Sequence, residues 1–253
     1  MKAIILAAGR GSRMGSLTEN LPKCRSILHG KTLIDWQMDA LQKAGITDIA
    51  IVRGYLADSF HFDLPYFENR RWAETNMVAS LACAEDWLKT ETCIVGYSDI
   101  VYLPDTVSRL MNCDGNIAIT YDPNWSALWN LRFSNPLSDA ETFRLDGDRV
   151  VEIGNRAALI EEIEGQYMGL LKFTPPGWKQ VANHLTTLDQ STHDAMSMTK
   201  LLSELIASGI AVTAVASPEP WYEVDSEKDL RLYNRMKMWN PTSLTGKFDV
   251  ESI

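Results

Sequence analysis

The residues best suited to chemistry lie in the first 25 positions of the chain. Five consecutive residues, Gly9-Arg10-Gly11-Ser12-Arg13, combine bare backbone with a hydroxyl and two guanidinium groups. Glycine lets the main chain approach a ligand closely, and successive N–H groups in such a turn form an anion-binding concavity. Arg13 and Lys23 would add fixed positive charge beside that turn. This stretch therefore predicts a binding site for a nucleoside triphosphate.

Two other kinds of glycine-rich phosphate loop do not fit the spacing. A dinucleotide fingerprint, G-x-G-x-x-G, would have methionine in place of its third glycine here, and no acid ends the second predicted strand. A P-loop needs two glycines five positions apart followed by a lysine, and no register of Gly9, Gly11 or Gly15 provides this. A purely structural turn would not need Arg10, Arg13 and Lys23 together.

Strands and helices must position this loop, and they alternate through the first half of the chain. Apolar runs and helical spacings predict, in order, strand 3–8, helix 32–44, strand 48–52, helix 75–90, strand 92–97, helix 104–111 and strand 116–121. This alternation predicts a mixed, mostly parallel, Rossmann-like α/β sheet with helices on both faces. Ligands of such sheets lie beyond the carboxyl ends of the strands, so the loops at 8–15, 53–55 and 97–100 should converge.

The pattern changes near residue 122. Residues 122–175 are rich in aromatics and turn formers and include a predicted hairpin over 141–154. We expect this range to be a small inserted β region that covers a substrate on the nucleotide-binding core. A single domain is expected over 1–239, and residues 240–253 lack periodicity and are expected to form a loosely held tail.

Composition narrows the class of protein. The chain has 253 residues and a net charge of −9, which disfavours general nucleic-acid binding but leaves a local basic patch at the start. The four cysteines have no metal-ligand or redox spacing, and no apolar run approaches membrane-spanning length. We expect a cytoplasmic protein without membrane insertion; its oligomeric state, homo-oligomer included, stays open.

The opening block also carries a family resemblance. Leu6-Ala7-Ala8-Gly9-Arg10-Gly11-Ser12-Arg13-Met14 with Pro22-Lys23 resembles the signature of the sugar-phosphate and phosphocholine nucleotidyltransferases, and is most similar to the phosphocholine cytidylyltransferase branch. Further similar segments are Gly54-Tyr55, Thr75–Val78, Tyr97–Ile100 and Trp221–Asp225. The resemblance covers about residues 1–235 and implies a glycosyltransferase-A-like fold.

The reaction that this resemblance implies is attack by a phosphate or phosphonate oxygen on the α-phosphorus of CTP, with release of pyrophosphate. Arg13 and Lys23 are the implied catalytic residues, and Asp99 and Asp225 are the implied ligands of a Mg²⁺ cofactor. The implied nucleotide-binding residues are Leu6, Ala8, Gly9, Gly11, Ser12, Arg13, Lys23, Asn76 and Ser80.

The acceptor is less well defined. Aromatic side chains could wall a pocket for a cationic head group, Glu223 could add negative charge, and Arg132 could pair with a carboxylate or phosphonate. The predicted acceptor-binding residues are Trp125, Trp129, Arg132, Tyr167, Trp221 and Glu223. The family's membership implies acceptors such as phosphocholine, aminoethylphosphonate or a phosphorylated amino-acid amide, used in decorating cell-surface polysaccharide or lipid. Two alternatives stay open, a sugar-1-phosphate nucleotidyltransferase using UTP or GTP and a non-catalytic nucleotide-sensing domain.

Overall fold

A computed structural model describes residues 1–236 of the chain. The predicted tail, 240–253, lies outside the described residues. The strands are β1 (Lys2–Ala7), β2 (Ile27–Leu28), β3 (Lys31–Thr32), β4 (Ile49–Arg53), β5 (Tyr66–Glu68), β6 (Cys93–Tyr97), β7 (Ile100–Val101), β8 (Ile117–Asp122), β9 (Glu141–Asp146), β10 (Arg149–Arg156), β11 (Gln166–Phe173), β12 (Thr213–Ala216) and β13 (Tyr222–Glu223).

Helices follow most of the strands. They are α1 (Leu33–Lys43), α2 (Met77–Ala82), α3 (Glu85–Thr90), α4 (Pro104–Asn112), α5 (Trp125–Arg132), α6 (Pro175–Leu185), α7 (Gln190–Ala195), α8 (Met198–Ala207) and α9 (Glu227–Arg235). The helix predicted over 75–90 is two helices, α2 and α3. Both bury apolar residues in the same core, so their spacing alone does not reveal the break between them. None of the described helices has the length and apolar character needed to cross a bilayer.

One nine-stranded sheet organises the described residues, in the order β5-β4-β1-β6-β11-β8-β12-β10-β9. The pairings make β10 and β11 run opposite to the other strands of this sheet. The predicted mixed sheet is therefore confirmed. The region 122–175 does not form a separate layer, because β11 runs through the middle of the sheet and the β9–β10 hairpin extends its edge.

Burial on both faces of the sheet explains the apolar runs. In β1, Ala3 and Ile5 face one core, whereas Ile4 and Leu6 face the other. Helices α1 and α4 cover the first core, and α2, α3, α6 and α8 cover the second. Because β1, β4 and β6 are parallel neighbours, their carboxyl ends meet at one edge of the sheet, where the loops after them converge.

Candidate active site

The glycine-rich loop leaves β1 at the carboxyl end of the strand. Gly11 has a φ of 66°, a left-handed conformation that glycine adopts at little cost. A methyl group at Gly11 would lie 2.9 Å from Cβ and Cδ of Lys23. The aliphatic stem of Lys23 therefore packs directly on the Gly11 backbone, and the loop fixes where this lysine side chain begins.

Lys23 and Arg13 meet two carboxylates at this loop. The Lys23 ammonium donates to Asp99 at 2.7 Å and to Asp225 at 2.9 Å, and the Arg13 guanidinium donates to Asp225 at 2.6 Å. The Lys23 side chain is only 9% exposed, whereas that of Arg13 is 69% exposed. We call these four residues the charge cluster. The structure thus brings together the two predicted catalytic residues and the two predicted metal ligands, which span 212 positions of sequence.

A short antiparallel pairing places the two acids side by side. Strands β7 and β13 pair through Val101 and Tyr222, and the Val224 N–H donates to the Asp99 carbonyl at 2.9 Å. The backbone N–H of Asp225 donates to the Asp229 carboxylate, which also accepts from the Ser226 N–H in the capping box of α9. Asp225 is therefore held by a sheet on one side and by a helix start on the other.

The charges within the cluster stabilise one another. Burial disfavours the charged ammonium of Lys23, but the carboxylates of Asp99 and Asp225 outweigh burial and raise the pKa of Lys23 above its ordinary value. Burial likewise disfavours a charged Asp225, yet Lys23 and Arg13 outweigh it and lower the pKa of Asp225. Lys23 and Asp225 therefore keep their charges at neutral pH.

A cavity of about 290 Å³ opens over the glycine-rich loop, and we call it the loop cavity. All nine predicted nucleotide-binding residues line it, as do Asp99 and several residues that sequence reasoning missed. The missed residues are Trp72, Thr75, Met77, Tyr97 and Ser98. Four of these five lie inside the segments 75–78 and 97–100, whose family resemblance was a usable signal. Trp72 carried no such signal.

The two predicted base readers already make hydrogen bonds. Asn76 caps α2 by accepting from the Met77 N–H at 2.7 Å, and its amide donates to the Ala195 carbonyl at 3.2 Å. The Ser80 hydroxyl accepts from the Asn69 amide at 3.0 Å. Asn76 and Ser80 share the wall of the loop cavity, but their contact with a base stays a prediction.

A second cavity of about 240 Å³, the inner cavity, adjoins the first. Arg13, Met77 and Tyr97 line both cavities, so the two share a wall. Asp99 lines the loop cavity and Asp225 lines the inner cavity, and the Lys23 ammonium bridges them. Two ligands placed in these cavities would therefore meet at the charge cluster.

Acidic side chains dominate the charge of the inner cavity. Asp139, Glu141, Glu223 and Asp225 line it, and Arg13 is the one cation among its described lining residues. Burial raises the pKa of Asp139, and burial together with the Asp139 carboxylate raises the pKa of Glu141. Burial also raises the pKa of Glu223, to about 7, against the opposing attraction of Arg132. A bound cation would stabilise the charged forms of these carboxylates.

Three of the six predicted acceptor-binding residues line the inner cavity, namely Trp129, Tyr167 and Glu223. The structure does not place Trp125, Arg132 and Trp221 on its wall. The Trp125 indole donates to the Ile163 carbonyl, and the Trp221 indole donates to Asp122; both rings are buried in the core.

Arg132 is the clearest correction to the predicted acceptor site. Its side chain is fully buried and pairs with Glu223 at 2.6 Å and with Asp229 at 3.2 Å. The Arg132 guanidinium therefore pairs with Glu223 in the interior and does not face an acceptor in the inner cavity. Asp139 and Glu141 are the acids that sequence reasoning missed, although carboxylates at neighbouring alternate positions were an available signal.

The chemistry of the charge cluster fits a divalent cation. Mg²⁺ prefers carboxylate and phosphate oxygens and retains several waters, so two aspartates suffice when a triphosphate completes the site. Asp99 Oδ1 is buried and has no hydrogen-bond partner among residues 1–236. Within the same residues, no group of three or more acidic, histidine or cysteine side chains forms a metal site by itself. The donors therefore suit a metal that arrives with phosphate ligands.

Close packing behind the loop gives a stability prediction. A methyl group at Gly54 would lie 2.7 Å from Trp72 Cβ and 2.9 Å from the Ala8 carbonyl oxygen. Gly54→Ala is therefore expected to lower the free energy of unfolding by about 1–3 kcal/mol, because the walls of the loop cavity must move apart. Urea unfolding checks this result. Gly9→Ala is the matched control, since its methyl group meets no atom within 4 Å; equal losses in both variants would contradict the packing account.

Comparison with known proteins agrees with the fold. A model of the MobA-like NTP transferase domain matches residues 3–150. The CTP:phosphoglutamine cytidylyltransferase of Campylobacter jejuni is 38% identical over 92% of this chain and 98% of that protein. The 2-aminoethylphosphonate cytidylyltransferase of Lancefieldella rimae is 27% identical over 78% of this chain and 74% of that protein.

A solved structure supports the same fold. The inositol-1-phosphate CTP transferase from T. maritima superposes with a TM-score of 0.71 at 20% identity, covering 92% of this chain and 94% of that one. The predicted nucleotidyltransferase resemblance and its glycosyltransferase-A-like fold are both confirmed. With a matching domain model over residues 3–150 and a relative of 38% identity along its length, this chain belongs to the MobA-like NTP transferase family and is a nucleotidyltransferase.

Proposed function

We propose that this chain transfers CMP from CTP to an oxygen of a small phosphate- or phosphonate-bearing acceptor and releases pyrophosphate. One observation carries the proposal, the meeting of two cavities at the charge cluster of Arg13, Lys23, Asp99 and Asp225. The nucleotide occupies the loop cavity and the acceptor occupies the inner cavity. CTP is favoured because the relatives named above are described as CTP-dependent enzymes or cytidylyltransferases.

The reaction is a displacement at the α-phosphorus of CTP. An acceptor oxygen forms a bond to that phosphorus, while the bond from the phosphorus to the oxygen bridging to the β-phosphate breaks. The electron pair of the broken bond leaves with pyrophosphate. An ionised phosphate or phosphonate is already a nucleophile, so no general base has to remove a proton. The work of the protein is to hold two anions together in line.

Lys23 and Arg13 supply the charge that makes this approach favourable. Lys23 is buried and its stem packs on Gly11, so its ammonium lies within reach of a triphosphate in the loop cavity. Arg13 lines both cavities and can neutralise nucleotide and acceptor oxygens together. Backbone N–H groups of the loop from Gly9 to Ser12 can donate to the remaining phosphates.

Asp99 and Asp225 would hold Mg²⁺. When bound, that ion would neutralise charge on the phosphates and on the leaving pyrophosphate. The carboxylates would orient the nucleotide through it at the wall between the cavities. Because the reaction draws on CTP, we also propose a cytoplasmic location for it.

The acids of the inner cavity favour an acceptor that carries a positive charge. Asp139 and Glu141 line the inner cavity, where Arg13 is the one cation among the described lining residues, and Glu223 pairs with the buried Arg132. An ammonium group would satisfy these carboxylates by charge-assisted hydrogen bonds. The acceptor we propose is therefore a small phosphorylated or phosphonylated amine, such as phosphoglutamine or 2-aminoethylphosphonate, the compounds in the names of two relatives.

A nucleotide-by-acceptor panel tests the proposed function. Pyrophosphate release is measured with CTP, UTP and GTP against phosphoglutamine, aminoethylphosphonate, phosphocholine and sugar 1-phosphates, with Mg²⁺ present. The expected result is turnover with CTP and an amine-bearing acceptor. Turnover confined to UTP or GTP with a sugar 1-phosphate would replace the proposal with the sugar-nucleotide alternative. A rise in melting temperature with nucleotide but no turnover in any combination would favour a nucleotide-sensing domain.

A further inference from the structure

The oxygens of the two cluster carboxylates are nearly all occupied by the protein itself. Asp99 Oδ2 and Asp225 Oδ1 both accept from the Lys23 ammonium, and Asp225 Oδ2 accepts from Arg13 Nη1. Of the four oxygens, Asp99 Oδ1 alone lacks a partner among the described residues. A divalent cation that uses Asp99 Oδ2 or Asp225 Oδ1 must therefore displace the ammonium of Lys23, and one that uses Asp225 Oδ2 must displace the more exposed Arg13.

The cluster is also neutral as it stands. Two carboxylates balance one ammonium and one guanidinium. Attraction between Lys23 and the acids outweighs the cost of burying the lysine. A divalent cation arriving alone would have to compete with a buried ammonium at 2.7 and 2.9 Å from its carboxylates. It would also bring two positive charges next to Lys23 and Arg13, which opposes binding.

The ammonium of Lys23 can move while the stem of its side chain stays in place. Its stem packs on Gly11, which fixes the first carbons, and the residue lines the loop cavity where we place the triphosphate. A triphosphate carries about four negative charges at neutral pH, which gives the ammonium a second anion within the reach of the same side chain. Moving Nζ toward that anion would uncover Asp99 Oδ2 and Asp225 Oδ1.

We propose that Lys23 is an internal counter-ion that keeps Asp99 and Asp225 closed to divalent cations until a nucleoside triphosphate draws its ammonium away. This inference rests on the proposed function for the identity of the cavity's ligand. Lys23 would then have a second role besides neutralising the triphosphate. It would set the order of binding, so that the metal enters with the nucleotide or after it. Metal and nucleotide then raise each other's affinity by the same factor.

The test measures metal binding without nucleotide or acceptor. Mn²⁺ serves as the probe, because its electron paramagnetic resonance signal reports the free ion directly. Lys23→Met keeps an unbranched side chain that is one atom shorter and removes its charge, so it is expected to bind Mn²⁺ on the order of tenfold more tightly than the wild-type chain. Lys23→Arg keeps the charge and is expected to stay as weak as wild type. Equal Mn²⁺ affinity in Lys23→Met and the wild-type chain would overturn the proposal.

A second variant keeps the test valid if Lys23→Met does not fold. Asp99→Asn removes one proposed metal ligand and leaves Lys23 in place. The proposal expects Mn²⁺ without nucleotide to bind the wild-type chain and Asp99→Asn equally weakly. With CTP added, the wild-type chain should bind Mn²⁺ beyond the amount that CTP alone chelates, and Asp99→Asn should not. The proposal would be overturned if the wild-type chain bound Mn²⁺ saturably without nucleotide and Asp99→Asn abolished that binding. Such a result would show that the two carboxylates are already open to a divalent cation.

These readouts are independent of turnover. Tighter Mn²⁺ binding by Lys23→Met would stand even if no acceptor in the panel were converted, in which case only the proposed function would fail. Turnover in the panel together with unchanged Mn²⁺ affinity in Lys23→Met would leave the proposed function intact and remove the counter-ion role.

Discussion

Replacing Asp225 with asparagine is expected to lower turnover by about a thousandfold. Asp225 accepts from both Lys23 and Arg13 and is one of two proposed metal ligands. The amide of asparagine is neutral, so it holds a divalent cation weakly and removes the negative charge that Asp225 presents to Lys23 and Arg13. Steady-state rates of pyrophosphate release at saturating CTP and acceptor measure the effect.

The loss should be catalytic and not structural. In Asp225→Asn, Lys23 keeps Asp99 as a partner, and the backbone N–H of residue 225 keeps its hydrogen bond to Asp229. We therefore expect the free energy of unfolding, measured in urea, to fall by no more than about 2 kcal/mol. Asp63→Asn is the matched control, because Asp63 is an exposed carboxylate away from both cavities. Full turnover in Asp225→Asn would remove this residue from the metal site.

Replacing Glu141 with glutamine is expected to raise KM for an amine-bearing acceptor by about 10- to 100-fold and to leave KM for CTP unchanged. The glutamine keeps the size of the side chain but loses the charge that we propose to hold the ammonium, and a charged hydrogen bond contributes about 1.5–3 kcal/mol. Glu141 lines the inner cavity but not the loop cavity, so the substitution should change KM for the acceptor alone.

The pH dependence gives a second readout for Glu141. Burial and Asp139 raise the pKa of Glu141, so its charged form is lost as the pH falls through that raised value. In the wild-type chain, KM for the amine acceptor should therefore rise as the pH falls, and Glu141→Gln should flatten that rise. An acceptor without an amine serves as the control ligand. If Glu141→Gln raised KM equally for acceptors with and without an amine, the ammonium assignment would be wrong.

The sequence predicted the parts of the site that depend on local order. Gly9, Gly11 and Lys23 follow one strand within a single connection, so they lie close together in sequence, and all three line the loop cavity. Asp99 and Asp225 came from the family resemblance of the segments 97–100 and 221–225, not from local order. The structure adds the pairing of β7 with β13, which brings the two acids to one lysine.

The acceptor side was less predictable because side-chain type does not determine direction. Trp129 lines the inner cavity, but Trp125, four residues earlier on α5, donates to Ile163 and lies in the core. Arg132 was expected to face a ligand, whereas two acids distant in sequence, Glu223 and Asp229, hold it in the interior. Such long-range ion pairs leave no local pattern in the chain.

The most direct test of the central claim is the identity of the product. The chain is incubated with CTP, Mg²⁺ and phosphoglutamine or aminoethylphosphonate, and the mixture is followed by phosphorus NMR and mass spectrometry. The account predicts pyrophosphate and a compound in which CMP is joined through its phosphorus to the acceptor's phosphate or phosphonate oxygen. Formation of a UDP- or GDP-sugar instead, or recovery of unchanged CTP and acceptor, would contradict it.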